Sequence, residues 1–179
     1  MSPQLYLASQ SARRRELLTQ IGVSFESLDV DVAEDLRTEE NPKDFVVRLA
    51  EEKTNAGWHS PQRVLNIPVL GADTIVVIDG QILGKPQDRE QAATMLELLA
   101  GRTHQVLTAI CVGKDLRNNL RLSSSHVKFK DITYNERQWY LDTGEFEGKA
   151  GGYAIQGHAA VFIERLEGSY SGVMGLPLF

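Results

Sequence analysis

Three observations predict an α/β fold built on a mixed sheet. Apolar runs of strand length and helical patterns of apolar residues both recur along the 179 residues, so neither an all-α nor an all-β order fits. They do not follow a regular strand–helix repeat, which argues against a doubly wound parallel sheet. Two apolar runs flank Asp79-Gly80, a pair that favours a tight hairpin turn and so places an antiparallel pair in the sheet.

The elements follow in order. "QLYLA" reads as a short buried strand and "ARRRELLTQIG" as a helix, with Leu17, Leu18 and Ile21 on one face and Gly22 at its C-terminal cap. "SFESLDVDV" reads as a second strand. In "NPKDFVVRLAEEKTNAG", Asn41 caps a helix, Pro42 fits its first turn, and Phe45, Val46 and Leu49 form the apolar face. "VLGADTIVVIDGQILGK" is the hairpin. Asp88 with Gln91 resembles a capping box opening the helix "REQAATMLELLAG". "HQVLTAICVG" and "LRLSSSHVKFK" read as long paired strands. Thr133 and Glu136 form a second capping box, for a helix ending near Gly144, and "AVFIERLEG" reads as a last strand. Phe129, Trp139 and Phe162 are expected in the core.

Composition narrows the function. With 42% hydrophobic and 24% charged residues the chain can bury one sizeable core, in one domain or two closely packed lobes. A net charge of -5 argues against a broad nucleic-acid surface, so any anion site must be local. The single Cys111 cannot form an internal disulfide, in keeping with a reducing compartment. No terminal segment resembles a signal peptide, and Asp73, Asp79 and two glycines break the most apolar stretch, so a cytoplasmic protein without a membrane span is expected.

Ser9, Ser11, Arg13 and Arg14 fall where a strand passes into a helix N-terminus. Free backbone N–H groups and the positive end of the helix dipole favour an anion there. Arginines in a first turn oppose that dipole, a conflict that a bound phosphate would resolve; a solvated helix face is the ordinary alternative. It is not a Walker loop, since the Gly-Lys-Ser/Thr pattern is absent. Asp73 of "GADT" lies inside an apolar stretch, where a carboxylate needs a donor, a cation or a metal as partner, unless it merely caps a loop. Glu34, in the acidic stretch "DVDVAED", reads by itself as a solvated strand end. Together, Glu34 and Asp73 suit a hard divalent cation such as magnesium. Lys53 and Lys85, taken alone, read as solvated lysines. His59, His104, His126 and His158 lack metal-ligand spacing, so zinc is unsupported.

Six segments then fall in one order: "LYLASQSARRRELL", "FVVRLAEEK", "VLGADTIVVIDGQILGKPQD", "LLAGRTHQVLTAI", "KAGGYAIQG" and "GSYSGVMGLPL". Together they resemble the Maf family of nucleoside triphosphate pyrophosphatases over essentially the whole chain, and are most similar to its dTTP- and UTP-hydrolysing branch. The resemblance implies an elongated mixed sheet flanked by helices, with two lobes around a cleft, similar to the inosine triphosphate pyrophosphatases. It implies hydrolysis of a nucleoside triphosphate to the monophosphate and pyrophosphate with a divalent metal, Mg2+ or Mn2+. By motif, Asp73 matches the proton acceptor, and Glu34, Lys53 and Lys85 the other charged cleft residues. Ser9, Arg13 and Arg14 match the phosphate-binding loop, while Arg13, Thr74 and Gln156 match the positions that distinguish this branch by substrate. Gln156 offers an acceptor and donors together, which pairs with the carbonyl and N–H of a uracil or thymine edge.

Two departures stand out. The family often carries two acidic residues at Glu34 and the position before it, where this chain has Ala33. The family also usually continues past "GLPL" into a further helix, so residues 1–179 are expected to form a single catalytic domain without that helix. A homodimer is compatible with the sequence, and neither a membrane nor a nucleic-acid polymer is expected as partner. Two other readings stay open: a pyrophosphatase for modified or purine nucleotides, and a nucleotide-binding regulator of cell division.

Overall fold

The structure is a computed structural model and describes residues 2–115 and 117–179. β1 (Leu5–Ala8), α1 (Ala12–Gln20) and β2 (Phe25–Leu28) are followed by an irregular stretch, α2 (Pro42–Trp58), and the hairpin of β3 (Val69–Ile78) and β4 (Gln81–Leu83). Then come α3 (Arg89–Leu99), β5 (Thr103–Lys114), β6 (Arg117–Phe129), α4 (Tyr134–Asp142), β7 (Ile163–Glu167) and α5 (Tyr170–Met174). Short 3₁₀ turns fill Ala150–Gly152 and His158–Phe162.

Local chemistry sets most of these boundaries. α1 ends in a Schellman motif: Val23 N–H donates to Leu18 O at 3.1 Å and Gly22 N–H to Thr19 O at 3.0 Å, with Gly22 at φ 72°. Asn41 accepts from the N–H groups of Lys43 and Asp44 to start α2. Asp79 and Gly80 both adopt positive φ, 51° and 76°, as a type I′ hairpin turn requires. Thr133 and Glu136 make the reciprocal capping box. At α3 the box is displaced: Asp88 accepts from Gln91 N–H, but Gln91 Oε1 turns to Gln87 N–H at 2.7 Å.

The described strands form one mixed sheet in the order β2-β1-β3-β5-β6-β7, with β4 paired to β3. β1 runs parallel to both β2 and β3; the other pairings are antiparallel. β3 is central and almost wholly buried, as expected where helices cover both faces. Its Ile75 and Val77 pack with Phe45, Val46, Leu49 and Ala50 of α2. Its alternate residues turn away: Leu70 and Ala72 pack with Leu17 and Leu18 of α1, and Val76 and Ile78 with Leu96 and Leu99 of α3. On one edge, β1 pairs β3 over Val69–Gly71 and β4 pairs it over Val76–Ile78. Between them, residues 72–75 have no strand beside them on that edge among the described residues.

The structure corrects four expectations. β2 stops at Leu28, so the acidic end of "SFESLDVDV" is irregular and Glu34 sits on a loop. The last strand begins only at Ile163, because residues 158–162 wind into a 3₁₀ turn. Lys53, read by itself as a solvated lysine, lies inside α2 with its side chain 12% exposed. Phe129 and Phe162 are fully buried, but Trp139 is 46% exposed, with its ring edge against His158 and Phe162.

α2 approaches β3 closely because Gly71 has no side chain. A Cβ there would stand 2.6 Å from both Ala50 O and Thr54 N. Gly71→Ala should therefore push the helix off the sheet, at a cost of about 1–3 kcal/mol, lowering Tm by roughly 2–10 °C. A thermal melt that does not move would show the helix to be loosely seated.

Candidate active site

The break in the edge of β3 opens into a cleft of about 680 Å³, within the range of roughly 300–1,000 Å³ usual for small-molecule sites. The start of α1 and residues 30–34 line one side, and residues 147–156 line the other; Asp73, Thr74, Val76 and Val106 form the floor.

Asp73 points to the α2 side and meets a chain of alternating charges. Lys53 Nζ donates to Asp73 Oδ1 at 2.6 Å and to Glu34 Oε1 at 2.7 Å, and Lys85 Nζ donates to Glu34 Oε2 at 2.9 Å. The chain climbs from the floor to solvent: the Asp73 side chain is 9% exposed and that of Lys85 is 56% exposed. Thus Lys53 is no ordinary solvated lysine. Burial pushes the Asp73 carboxyl above its usual range, with Lys53 and then Arg14 pulling the other way. Burial also acts to raise Glu34, but hydrogen bonds and charge from Lys53 and Lys85 outweigh it and hold that carboxyl down at about 2.

The arginines of α1 divide among three tasks. Arg14 is buried: Nε donates to Gly175 O at 2.8 Å, Nη1 to Ser9 Oγ at 3.0 Å and Nη2 to Thr74 Oγ1 at 3.2 Å. Thr108 Oγ1 donates to Gly172 O at 2.7 Å, so the Thr74 hydroxyl must be the donor in its 2.9 Å contact with Thr108. Ser9, Arg14 and Thr74 thus belong to one network that ties α1, β3, β5 and α5 together at the cleft. Arg15 turns outward to Gln10 O at 2.9 Å. Arg13 lines the cleft and makes no hydrogen bond or ion pair among the described residues.

The far wall is held at several points. Gly151 N–H donates to Gly84 O at 3.0 Å, fixing the wall beside Lys85, and Tyr140 Oη donates to Gly152 O at 3.0 Å. Glu145 accepts from the backbone N–H groups of His158 at 2.7 Å and Ala159 at 3.2 Å. Gln156 lies between these anchors, after buried Ile155, with its amide exposed and free of protein partners among the described residues. All nine residues singled out in the sequence therefore line one cleft, in two networks on opposite faces of β3 with Arg13 and Gln156 standing apart. Sequence reasoning did not single out Lys149, which lines the same cleft, nor Glu145; the only signal was the glycine-rich "KAGGYAIQG".

Among the described residues no group of three or more His, Cys, Asp or Glu side chains is placed to hold a metal. Magnesium does not need one, being commonly held by one or two carboxylates with water and substrate phosphates. Lys53 Nζ, within 2.7 Å of both Glu34 and Asp73, demonstrates that the two carboxylates can converge on one cation. The donor set therefore fits a hard divalent ion.

The fold and site together are thus a mixed sheet with a central buried strand, a charged cleft floor and a free amide on the facing wall. Residues 4–179 match the family described as Maf-like protein, and the chain belongs to that family. A protein of Alkalilimnicola ehrlichii named dTTP/UTP pyrophosphatase is 55% identical over 99% of this chain and 89% of its own length. One of Saccharophagus degradans with the same name is 50% identical over 99% and 85%. Among solved structures, the Staphylococcus aureus Ham1 protein aligns over 73% of each chain with 16% identity and a TM-score of 0.48, a marginal likeness.

The charge chain makes a titration testable. Carboxyl ¹³C NMR should place the Asp73 midpoint above its ordinary 3.8, and Lys53→Met should raise it further, since Lys53 is the strongest influence holding it down. For Glu34 the sign is opposite: its contribution to stability is present above 4.5 and is lost as pH falls through about 2. An Asp73 midpoint that does not move in Lys53→Met would show that the ion pair does not form in solution.

Proposed function

We propose that this chain is a nucleoside triphosphate pyrophosphatase that hydrolyses dTTP and UTP to the nucleoside monophosphate and pyrophosphate. The observation that carries the reading is a buried carboxylate, Asp73, held by Lys53 on the floor of a cation-lined cleft. The names of relatives about half identical support the pyrimidine substrates.

The chemistry follows from the geometry. Asp73 is the proton acceptor: its raised carboxyl makes it a better base near neutrality than an ordinary aspartate. A water oxygen bonds to the α-phosphorus, its proton passes to Asp73, and the α–β bridging P–O bond breaks to release pyrophosphate. Lys53 and Lys85 set the positions of Asp73 and Glu34 and present positive charge to the polyphosphate. Arg13 offers its guanidinium fork to phosphate oxygens, while Ser9, Arg14 and Thr74 hold the floor that α1 and β3 share. Gln156 pairs with the base edge. A divalent ion, Mg2+ or Mn2+, held by Glu34 and Asp73 supplies charge neutralisation and an acidified water when bound.

The chain acts as one catalytic unit over residues 1–179, in the cytoplasm, on free nucleotides as part of nucleotide-pool housekeeping. None of the described helices is long and apolar enough to cross a membrane. A homodimer is compatible with this reading.

Release of pyrophosphate from a panel of nucleoside triphosphates with magnesium or manganese tests the reading, and turnover of purine triphosphates in preference to UTP and dTTP would overturn the substrate assignment. Asp73→Asn should lose at least roughly a hundredfold in kcat and still bind nucleotide; near-normal turnover in the folded variant removes Asp73 from its role. Gln156→Glu replaces the amide donor by an acceptor, so kcat/KM for UTP and dTTP should fall by at least about tenfold, or ~1.4 kcal/mol. The guanine edge, with two neighbouring donors, should lose less. A UTP to GTP ratio that stays put shows that Gln156 does not read the base.

A further inference from the structure

Five basic side chains line the cleft: Arg13, Arg14, Lys53, Lys85 and Lys149. Three are engaged within the protein. Lys53 and Lys85 are paired to Glu34 and Asp73, and three of the Arg14 guanidinium nitrogens donate to Gly175, Ser9 and Thr74. The remaining two have no carboxylate partner among the described residues, and they stand on opposite walls. Arg13 comes from the first turn of α1. Lys149 comes from the 147–156 wall, where its Nζ makes one contact, a 3.1 Å hydrogen bond to Glu147 O.

We infer that Lys149 contacts the substrate and, with Arg13, forms a two-walled clamp on the polyphosphate; the inference rests on the nucleotide reading above. Cations without an ion-pair partner that are half removed from water cost free energy, and an anion between them removes that cost. Burial lowers the Lys149 ammonium and the charge of Arg13 lowers it further, while the charges of Glu145 and Glu147 pull the other way without outweighing them. Two cleft-lining carboxylates, Asp31 and Glu147, make no ion pair among the described residues, but both are at the exposed rim. The wall itself is well fixed. Gly151 at φ 66° leaves room for Val76, whose Cγ2 would be 2.9 Å from any Cβ added there, and its N–H is bonded to Gly84. The wall two residues beyond Lys149 is thereby anchored to the residue next to Lys85. Because Lys149 meets phosphate and Gln156 meets the base, the two act on separable parts of the ligand.

The probe is inorganic tripolyphosphate, which carries the polyphosphate charge and no base, used as a competitive inhibitor. In Lys149→Gln, the inhibition constant for tripolyphosphate and the KM for UTP should both rise by at least about tenfold, as loss of one charge-assisted hydrogen bond predicts. The UTP to GTP ratio of kcat/KM should stay as in the wild type, and Lys149→Arg should recover most of the loss. Gln156→Glu should do the reverse, shifting the ratio and sparing tripolyphosphate. A tripolyphosphate constant within about twofold of wild type in folded Lys149→Gln, or a changed base ratio there, overturns the assignment while leaving the pyrophosphatase reading intact. A wild-type protein that hydrolyses no nucleoside triphosphate overturns that reading, and the assignment with it.

Discussion

A single ammonium group decides whether the centre of this protein can carry charge. Lys53 Nζ lies 2.6 Å from Asp73 and 2.7 Å from Glu34. Without it, Asp73 would be a nearly buried carboxylate among apolar residues, with only the more distant charge of Arg14 to offset its burial. With it, a strand that is otherwise hydrophobic holds an ionisable group on the floor of an open cleft. Lys53 reaches that place because α2 is packed against Gly71, two residues before Asp73, where a side chain would hold the helix away. The site is therefore a consequence of how one helix seats on one strand.

The second network complements the first. Arg14 spends its donors on a serine, a threonine and a backbone carbonyl, none of them charged. Burial lowers its basicity, though Asp73 and Glu34 act to restore it. It keeps positive charge beneath the cleft while joining the start of α1 to the turn after α5. Thr74, adjacent to Asp73 in sequence and opposite to it in direction, is the link between them. Adjacent residues of β3 thus serve two faces of the sheet and one cleft.

Local chemistry was the most legible part of the sequence. Helix caps at Asn41 and Thr133, the Asp79-Gly80 turn and the Schellman end at Gly22 all follow from backbone rules that act over a few residues. The mixed sheet was legible from the irregular order of its elements. What stayed hidden depends on distant contacts. Arg14 could not be told from Arg13 and Arg15, since their directions are set by Ser9, Thr74 and Gly175. Lys53 read as an ordinary solvated lysine because the carboxylates that bury it lie 19 and 20 residues away. Trp139 read as core because aromatic residues usually are. Lys149 stood in a quoted motif, yet nothing local marked it as unpaired. Ser9, Arg13, Arg14, Glu34 and Asp73 stood out by their chemistry, Lys53, Lys85, Thr74 and Gln156 only by motif resemblance, and the structure brings all nine to one cleft.

The pairing of β3 carries a consequence for folding. Side chains alternate along a strand, so a slip of one residue would send Asp73 toward Arg14 and Thr74 toward Lys53. Both networks would be lost together, with apolar neighbours turned the wrong way as well. Nine consecutive pairings with β5, three with β1 and three with β4 guard against that slip. A chain that has not yet brought these strands together cannot have a half-formed site. The cleft should therefore arise only with the last cooperative step of assembly, and amide protection along β3 should report the formation of its charge chain as directly as it reports the strand itself.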